Sequence, residues 1–243
     1  MSIVWSANFS GVPYQVHQLR MLKDNFAYII ASGNQAVAID ASDGPMLVEV
    51  IEKCQYKLDA FLMTHHHEDH IAGAQYAKSK TECQLIGPKH EMLDFVDQDV
   101  AEGEECSVGP FCFEVIETPG HSKDHLSYFF RECNALFCGD TIFLSGCGRI
   151  FDSTADHFYS SLQKLKALPE KTLIFCGHDY FERNIAFARE KEPENEALKN
   201  ARHATFRTLE EEIPLNLFLQ ADTKESFASL RDEKNLFDAQ WNS

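Results

Sequence analysis

Short apolar runs of strand length recur along the chain at residues 14–19, 26–31, 36–40, 60–63, 111–117, 126–131, 135–138 and 173–176. In "FAYIIASGNQAVAID" two runs are separated only by Ser32-Gly33-Asn34, which predicts a hairpin turn. Helix-like segments fall at 45–56, 71–80, 155–168, 180–191 and 194–212. Strands in hairpins plus strands alternating with helices predict mixed sheets covered by helices. Residues 94–107 hold six acidic residues and no basic one, so they read as an exposed connector. A boundary is expected near residue 175, with a strand-rich part (1–175) before it and a mainly helical part (176–243) after it.

Polar residues cluster where the apolar runs stop. "AFLMT" runs into "HHHEDH", "FEVIET" into "PGH", "ALFC" into "GD", and "TLIFC" into "GH". Four strands thus deliver His or Asp just past their C-terminal ends, where rigid scaffolds carry functional groups. His65, His67, Asp69 and His70 form an H-x-H-x-D-H pattern. Such a run cannot be core, because burying that many unpartnered polar groups costs several kcal/mol. A solvated loop or an adventitious metal-binding tract would explain it in isolation, and a capped turn would explain His121, Asp140 or His178 singly. Together they read as one converging metal site. Alternate residues of an extended loop point the same way, so His65 and His67 can share one ion, with Asp69 and His70 turned toward a second. His66 and Glu68 are read as spacers facing away. His17, His90, His125, His157 and His203 are read as surface or packing residues, with His125 near enough to His121 to support it.

Composition narrows the classes. The net charge of −16 argues against a nucleic-acid partner, and it means that an anionic substrate would need locally placed cations. The eight cysteines include no C-x-x-C pair. The N-terminal "MSIVWSANFSGVPYQ" lacks the basic and apolar regions of a signal peptide, and no apolar run reaches the ~18 residues of a membrane span. A cytoplasmic protein without membrane contact is the expectation. Imidazole and carboxylate suit zinc, iron or manganese.

These residues resemble the metallo-β-lactamase superfamily, whose hallmark is H-x-H-x-D-H followed by His, Asp and His. The resemblance implies an α/β (α+β) fold, an αββα sandwich of two mixed β-sheets flanked by helices, with two divalent metal ions per chain at one edge. It would place one ion, zinc by first choice, on His65, His67 and His121. A second would sit on Asp69, His70 and His178, with Asp140 bridging, and Asp40 would support the ligands from behind. Asp69 and Asp140 would be the catalytic carboxylates, acting with a metal-bridging hydroxide.

The stretch "GDTIFLSGCGRIFDSTADHFYSSLQKLKALPEKTLIFCGHDYFERNIAFAREKEPEN", with "KDNFAYII" and "LRDEKNLF", is similar to the hydroxyacylglutathione hydrolase (glyoxalase II) family. That implies hydrolysis of the thioester of S-D-lactoylglutathione to glutathione and a 2-hydroxy acid, with the C-terminal helical part gripping glutathione. Arg149 and Tyr180 match substrate-binding positions of the family. Gln220 replaces a carboxylate-binding arginine, so weaker glutathione binding is expected by roughly 1.5–3 kcal/mol, with Lys224 or Arg231 compensating. Phe151 stands where some members carry tyrosine. Cys147 in "GCG" is read as packing, not as a nucleophile. The alternatives are a mononuclear-iron persulfide dioxygenase, sharing "GCGR" and "HDY"; a lactonase; and a non-catalytic protein binding metal or glutathione conjugates.

Overall fold

Strand alternation buries both faces of two sheets, and this sets the architecture of the computed structural model, which describes residues 3–9 and 12–241. Met1, Ser2, Ser10 and Gly11, in the segment read above for a signal peptide, and Asn242 and Ser243, at the end of the expected helical part, lie outside the described residues.

The first sheet runs in spatial and chain order: β1 (Ile3–Asn8), β2 (Gln15–Met21), β3 (Asn25–Ser32), β4 (Gln35–Ile39), β5 (Lys57–Leu62), β6 (Gln84–Gly87) and β7 (Gln98–Asp99). Strands β1 to β4 are antiparallel neighbours, and β4 to β7 are parallel. The crossovers carry α1 (Gly44–Lys53) and the pair α2 (Glu68–Ile71) and α3 (Ala74–Thr81). The second sheet contains β8 (Glu105–Val108), β9 (Phe111–Glu117), β10 (Leu126–Phe130) and β11 (Ala135–Gly139). After the small hairpin β12 (Ile142–Phe143) and β13 (Gly146–Cys147), and α4 (Ala155–Lys166), it gains β14 (Leu173–Cys176). Then come α5 (Phe181–Lys191), α6 (Glu196–Asn200), β15 (Arg207–Thr208), α7 (Leu209–Glu212), α8 (Leu217–Gln220) and α9 (Lys224–Trp241). The order in the second sheet is β15-β14-β11-β10-β9-β8.

Successive side chains of a strand point to opposite faces, so each sheet feeds two cores. Phe26, Tyr28 and Ile30 of β3 enter the layer between the sheets, where they meet Phe111, Phe113, Tyr128, Phe137 and Phe175. Ala27, Ile29 and Ala31 of the same strand face α1 and α3. Ile174 and Cys176 of β14 face α4, α5, α8 and α9, whose Phe158, Phe187, Phe218 and Phe227 complete a third core. Helix, sheet, sheet, helix is the order expected. The buried hydroxyls of Tyr28 and Tyr128 donate to the carbonyls of Cys176 (2.7 Å) and Met63 (2.6 Å), tying the sheets together at the end where the polar residues gather.

Strands 111–117 and 173–176 coincide with the expected runs. Of the expected segments, three differ in kind or continuity. The helix expected at 71–80 begins at Glu68 and breaks after Ile71, because Gly73 packs against backbone: a Cβ there would lie 2.8 Å from the Ala41 carbonyl oxygen. The helix expected at 194–212 is α6, an extended stretch and α7, since Arg207 turns inward to a fully buried Glu212 (3.0 Å) and pairs with β14. The acidic connector at 94–107 carries β7 and the start of β8, and it buries Val100 and Cys106.

Candidate metal centre and substrate cavity

Strands β5, β9, β11 and β14 end at the same edge, and their following loops bring all seven predicted ligand residues together. His65 Nε2 lies 3.0 Å from His67 Nδ1, which lies 2.9 Å from His121 Nε2. His178 Nε2 lies 3.3 Å from both His70 Nε2 and Asp69 Oδ2. Asp140 stands between the two sets: its Oδ2 is 3.3 Å from His121 Nε2 and 3.4 Å from His178 Nε2, and its Oδ1 is 3.4 Å from His70 Nε2. Four donors bonded to zinc at 2.0–2.1 Å in a tetrahedron are separated by roughly 3.3 Å, so these spacings suit a divalent cation. Asp140 Oδ1 is buried and accepts no hydrogen bond among the described residues, so it has a lone pair to give.

The outward ring nitrogens orient the inward ones. His70 Nδ1 donates to Asp40 Oδ2 (2.8 Å), His121 Nδ1 to the Arg149 carbonyl (2.8 Å), and His178 Nδ1 to Asp24 Oδ1 (3.0 Å). His65 Nδ1 donates to Thr64 Oγ1 (2.9 Å), whose own hydroxyl donates to Asp40 (2.9 Å). In the neutral ring, this arrangement turns the Nε2 lone pair to the cage. Asp40, the residue that the resemblance placed behind the site, accepts from His70 and from the Thr64 hydroxyl. Asp24 and Asn25 were not singled out; Asn25 Nδ2 donates to Asp69 Oδ2 (2.8 Å). Their only signal was the "KDNF" stretch, and nothing local said that it would meet residue 178. His125 lies behind the cage, stacked on His65 (4.8 Å) and accepting from the Asp140 amide (3.0 Å). The expected spacers do face away: His66 is held by Asp124 (2.8 Å) and stacks on His90 (4.1 Å), and Glu68 is exposed.

Electrostatics divides the candidate ligands. Burial and neighbouring imidazoles hold His65 well below the usual imidazole range and His67 at about 4; burial lowers His121 too. These three present neutral lone pairs at pH 7. Burial works against charge on His178 and His70, but Asp140 outweighs it, with Asp69 and Asp40 respectively, raising His70 and pushing His178 up to about 12. Asp140 and Asp69 stay ionised: burial opposes the charge, but His178 and His70 hold both carboxyls well below the carboxylate range.

The cage floors a cavity of about 360 Å³. Tyr180 stacks on His178 (4.8 Å) and Arg183 lies over the Tyr180 ring (4.3 Å). Arg149, Arg183, Arg231 and Lys234 give the wall four cations, with Asp238 among them. Phe151 stands at the mouth, 61% exposed, its ring edge-on to His67 and His121. Arg149 and Tyr180 both line this cavity. Lys224 does not: it pairs with Asp156 (2.8 Å) on the surface. Gln220 is also outside the cavity lining, since α8 packs its preceding residues Leu217, Phe218 and Leu219 into the core. Its place in the fold removes the reason to expect weaker glutathione binding. Cys147 lines the cavity, but burial raises its thiol although Arg231 pulls the other way, so it offers no thiolate.

The family model for the metallo-beta-lactamase superfamily matches residues 22–178. A hydroxyacylglutathione hydrolase of Rhodospirillum rubrum is 41% identical over 86% of this chain and 87% of its own length. One of Acidiphilium cryptum is 37% identical over 92% and 97%. Among solved structures, ETHE1 from Myxococcus xanthus superposes with a TM-score of 0.74 at 26% identity, covering 89% of each chain. The cage, its supporting hydrogen bonds and these relatives lead to one assignment: the chain belongs to the metallo-β-lactamase superfamily and, within it, to the hydroxyacylglutathione hydrolase family.

Proposed function

We propose that this protein is a metal-dependent hydrolase that cleaves the thioester of S-D-lactoylglutathione and related 2-hydroxyacylglutathiones to glutathione and a 2-hydroxy acid. The observation that carries the reading is one cavity with a His/Asp cage at its floor and four cations on its wall, in a chain of net charge −16. His65, His67 and His121 are assigned to one divalent ion and Asp69, His70 and His178 to a second, with Asp140 between them; zinc, iron and manganese all suit these donors, zinc first. Bound there, the ions supply Lewis acidity and lower the pKa of water from 15.7 toward ~7.

The chain's own groups do the rest. Asp140 and Asp69 remain carboxylates at neutral pH and offer acceptors that orient a water nucleophile. Arg149, Arg183, Arg231 and Lys234 attract the substrate's carboxylates against the repulsion of the whole molecule. Tyr180 and Phe151 supply flat apolar surface beside the cage. The departing thiolate has a pKa near ~8.5, so no dedicated general acid is needed. Residues 1–175 supply the cage apart from His178, and 176–243 most of the cationic wall. Cytoplasmic placement, among reduced thiols and glutathione, belongs to the same reading.

A persulfide dioxygenase would use a single iron; the second donor set, Asp69, His70 and His178, supports hydrolysis instead. The test is turnover of S-D-lactoylglutathione with metal counting on the purified protein. About two ions per chain and thioester hydrolysis are expected, and Asp140→Asn should lower kcat at least about 100-fold with loss of bound metal. One iron per chain with oxygen uptake on glutathione persulfide would establish the rival, and full activity of the Asn variant would remove Asp140 from the centre.

A further inference from the structure

On the cavity wall one carboxylate gathers three cations from two helices. Asp238 of α9 is ion-paired with Lys234 one turn earlier; its Oδ2 lies 3.5 Å from Arg231 Nη2, and its Oδ1 lies 3.3 Å from Arg183 Nε of α5. All three α9 side chains are buried: Lys234 is 2% exposed, Arg231 3% and Asp238 5%. Three cations this close, two of them buried and Arg183 partly so, would repel one another without a shared anion. Arg231 is further fixed by the carbonyls of Cys147 (3.1 Å) and Gly148 (3.3 Å). Arg183 lies over Tyr180, which stacks on His178, so contacts run unbroken from Asp238 to the cage. Asp238 does not exhaust the donors, since neither Arg183 Nε nor Arg231 Nε makes an aligned hydrogen bond among the described residues.

We propose that Asp238 is a positioning residue for substrate recognition: it holds Arg231 and Lys234 of α9 against Arg183 of α5, and so sets where the substrate's anionic end docks relative to the cage. The proposal rests on the thioester reading above. Burial, helped by Arg231 and Arg183, already draws Lys234 down to about 8 although Asp238 opposes the shift. Neutralising Asp238 removes the carboxylate paired with this ammonium, and it frees Arg183 to follow solvent. The wall then loses charge and alignment together, while the cage keeps its own supports, Asp24, Asp40 and the Arg149 carbonyl.

The test compares wild type with Asp238→Asn, both metal-loaded. KM for S-D-lactoylglutathione and the Kd of S-methylglutathione, read by calorimetry, should both rise about tenfold, with a much smaller change in kcat. A fall in either constant overturns the proposal, because Asp238 would then be competing with the substrate's carboxylate. A loss confined to kcat overturns it as well. Should Asp238→Asn fail to fold, Asp238→Glu keeps the charge one methylene further out; a rise in Kd of about threefold is expected, and a Kd equal to wild type overturns the proposal. S-methylglutathione binds without turnover. An inactive wild type would therefore count against the hydrolase reading, while the order of the Kd values judges Asp238 separately.

Discussion

For the histidines of the cage, the ring nitrogen facing away decides what the inner one can do. Asp40 was legible because it ends the "AVAID" run in a position the family resemblance marks, and it does hold His70 and Thr64. Asp24 was not, because its partner lies 154 residues away and only the fold brings them within 3.0 Å. Gln220 teaches the converse: a substitution visible in sequence acquires meaning only from where the side chain sits, and this one lies outside the cavity lining. Of the two cations named beside Gln220, Arg231 lines the cavity and Lys224 does not; Lys234, one turn further along the helix, joins Arg231 there. Their placement gives a pH prediction. Burial lowers Lys234 from 10.5 to about 8, so the native chain loses this proton as pH rises through about 8, below the range in which an exposed lysine does so. Affinity for S-methylglutathione should therefore fall between pH 7 and 9, measured by calorimetry at constant ionic strength. Unaltered affinity across that range would mean that Lys234 does not contribute its charge to binding.

Among elements, the strand ends carried most of the legible information. Apolar runs stopping at "THHH", "TPGH", "CGD" and "CGH" mark where side chains can leave a sheet while the backbone stays anchored in it. Helix bounds were less legible. Residues 194–212 are charged and good helix formers, yet the inward turn of Arg207 outweighs that preference, as tertiary contacts often do. The junction after β14 is tight: a Cβ at Gly177 would stand 2.3 Å from Asp140 Oδ1 and 2.8 Å from His70 Cε1. Gly177→Ala must push Asp140 or the strand end aside. Its metal affinity, measured by competition with a chelator, should drop at least about tenfold. Wild-type affinity in that variant would show that the junction can yield without moving the carboxylate.

At the scale of the molecule, a buried network joins the C-terminal helices to the central hairpin. Glu212 accepts from Arg207 (3.0 Å), from Asn216 (2.9 Å) and from the Ser145 amide (2.5 Å). Glu212→Ala leaves Arg207 buried and unpaired, so unfolding in urea should show a loss of about 3 kcal/mol; a loss below about 1 kcal/mol would mean that the network relaxes around the gap. The same scale resolves the charge puzzle. A net charge of −16 repels an anionic substrate at long range, but the four wall cations act within a screening length of about 10 Å at 0.1 M salt. By itself the sequence determined the layered fold class, the seven cage residues and the family, because strand periodicity, ligand chemistry and motif spacing are written in local order. Tertiary structure alone brought Asp24 and Asn25 behind the cage, set Arg183 and Lys234 beside Arg149 and Arg231 on the cavity wall, and left Gln220 and Lys224 outside it. Those properties depend on contacts between residues far apart in the chain, and no local pattern encodes them.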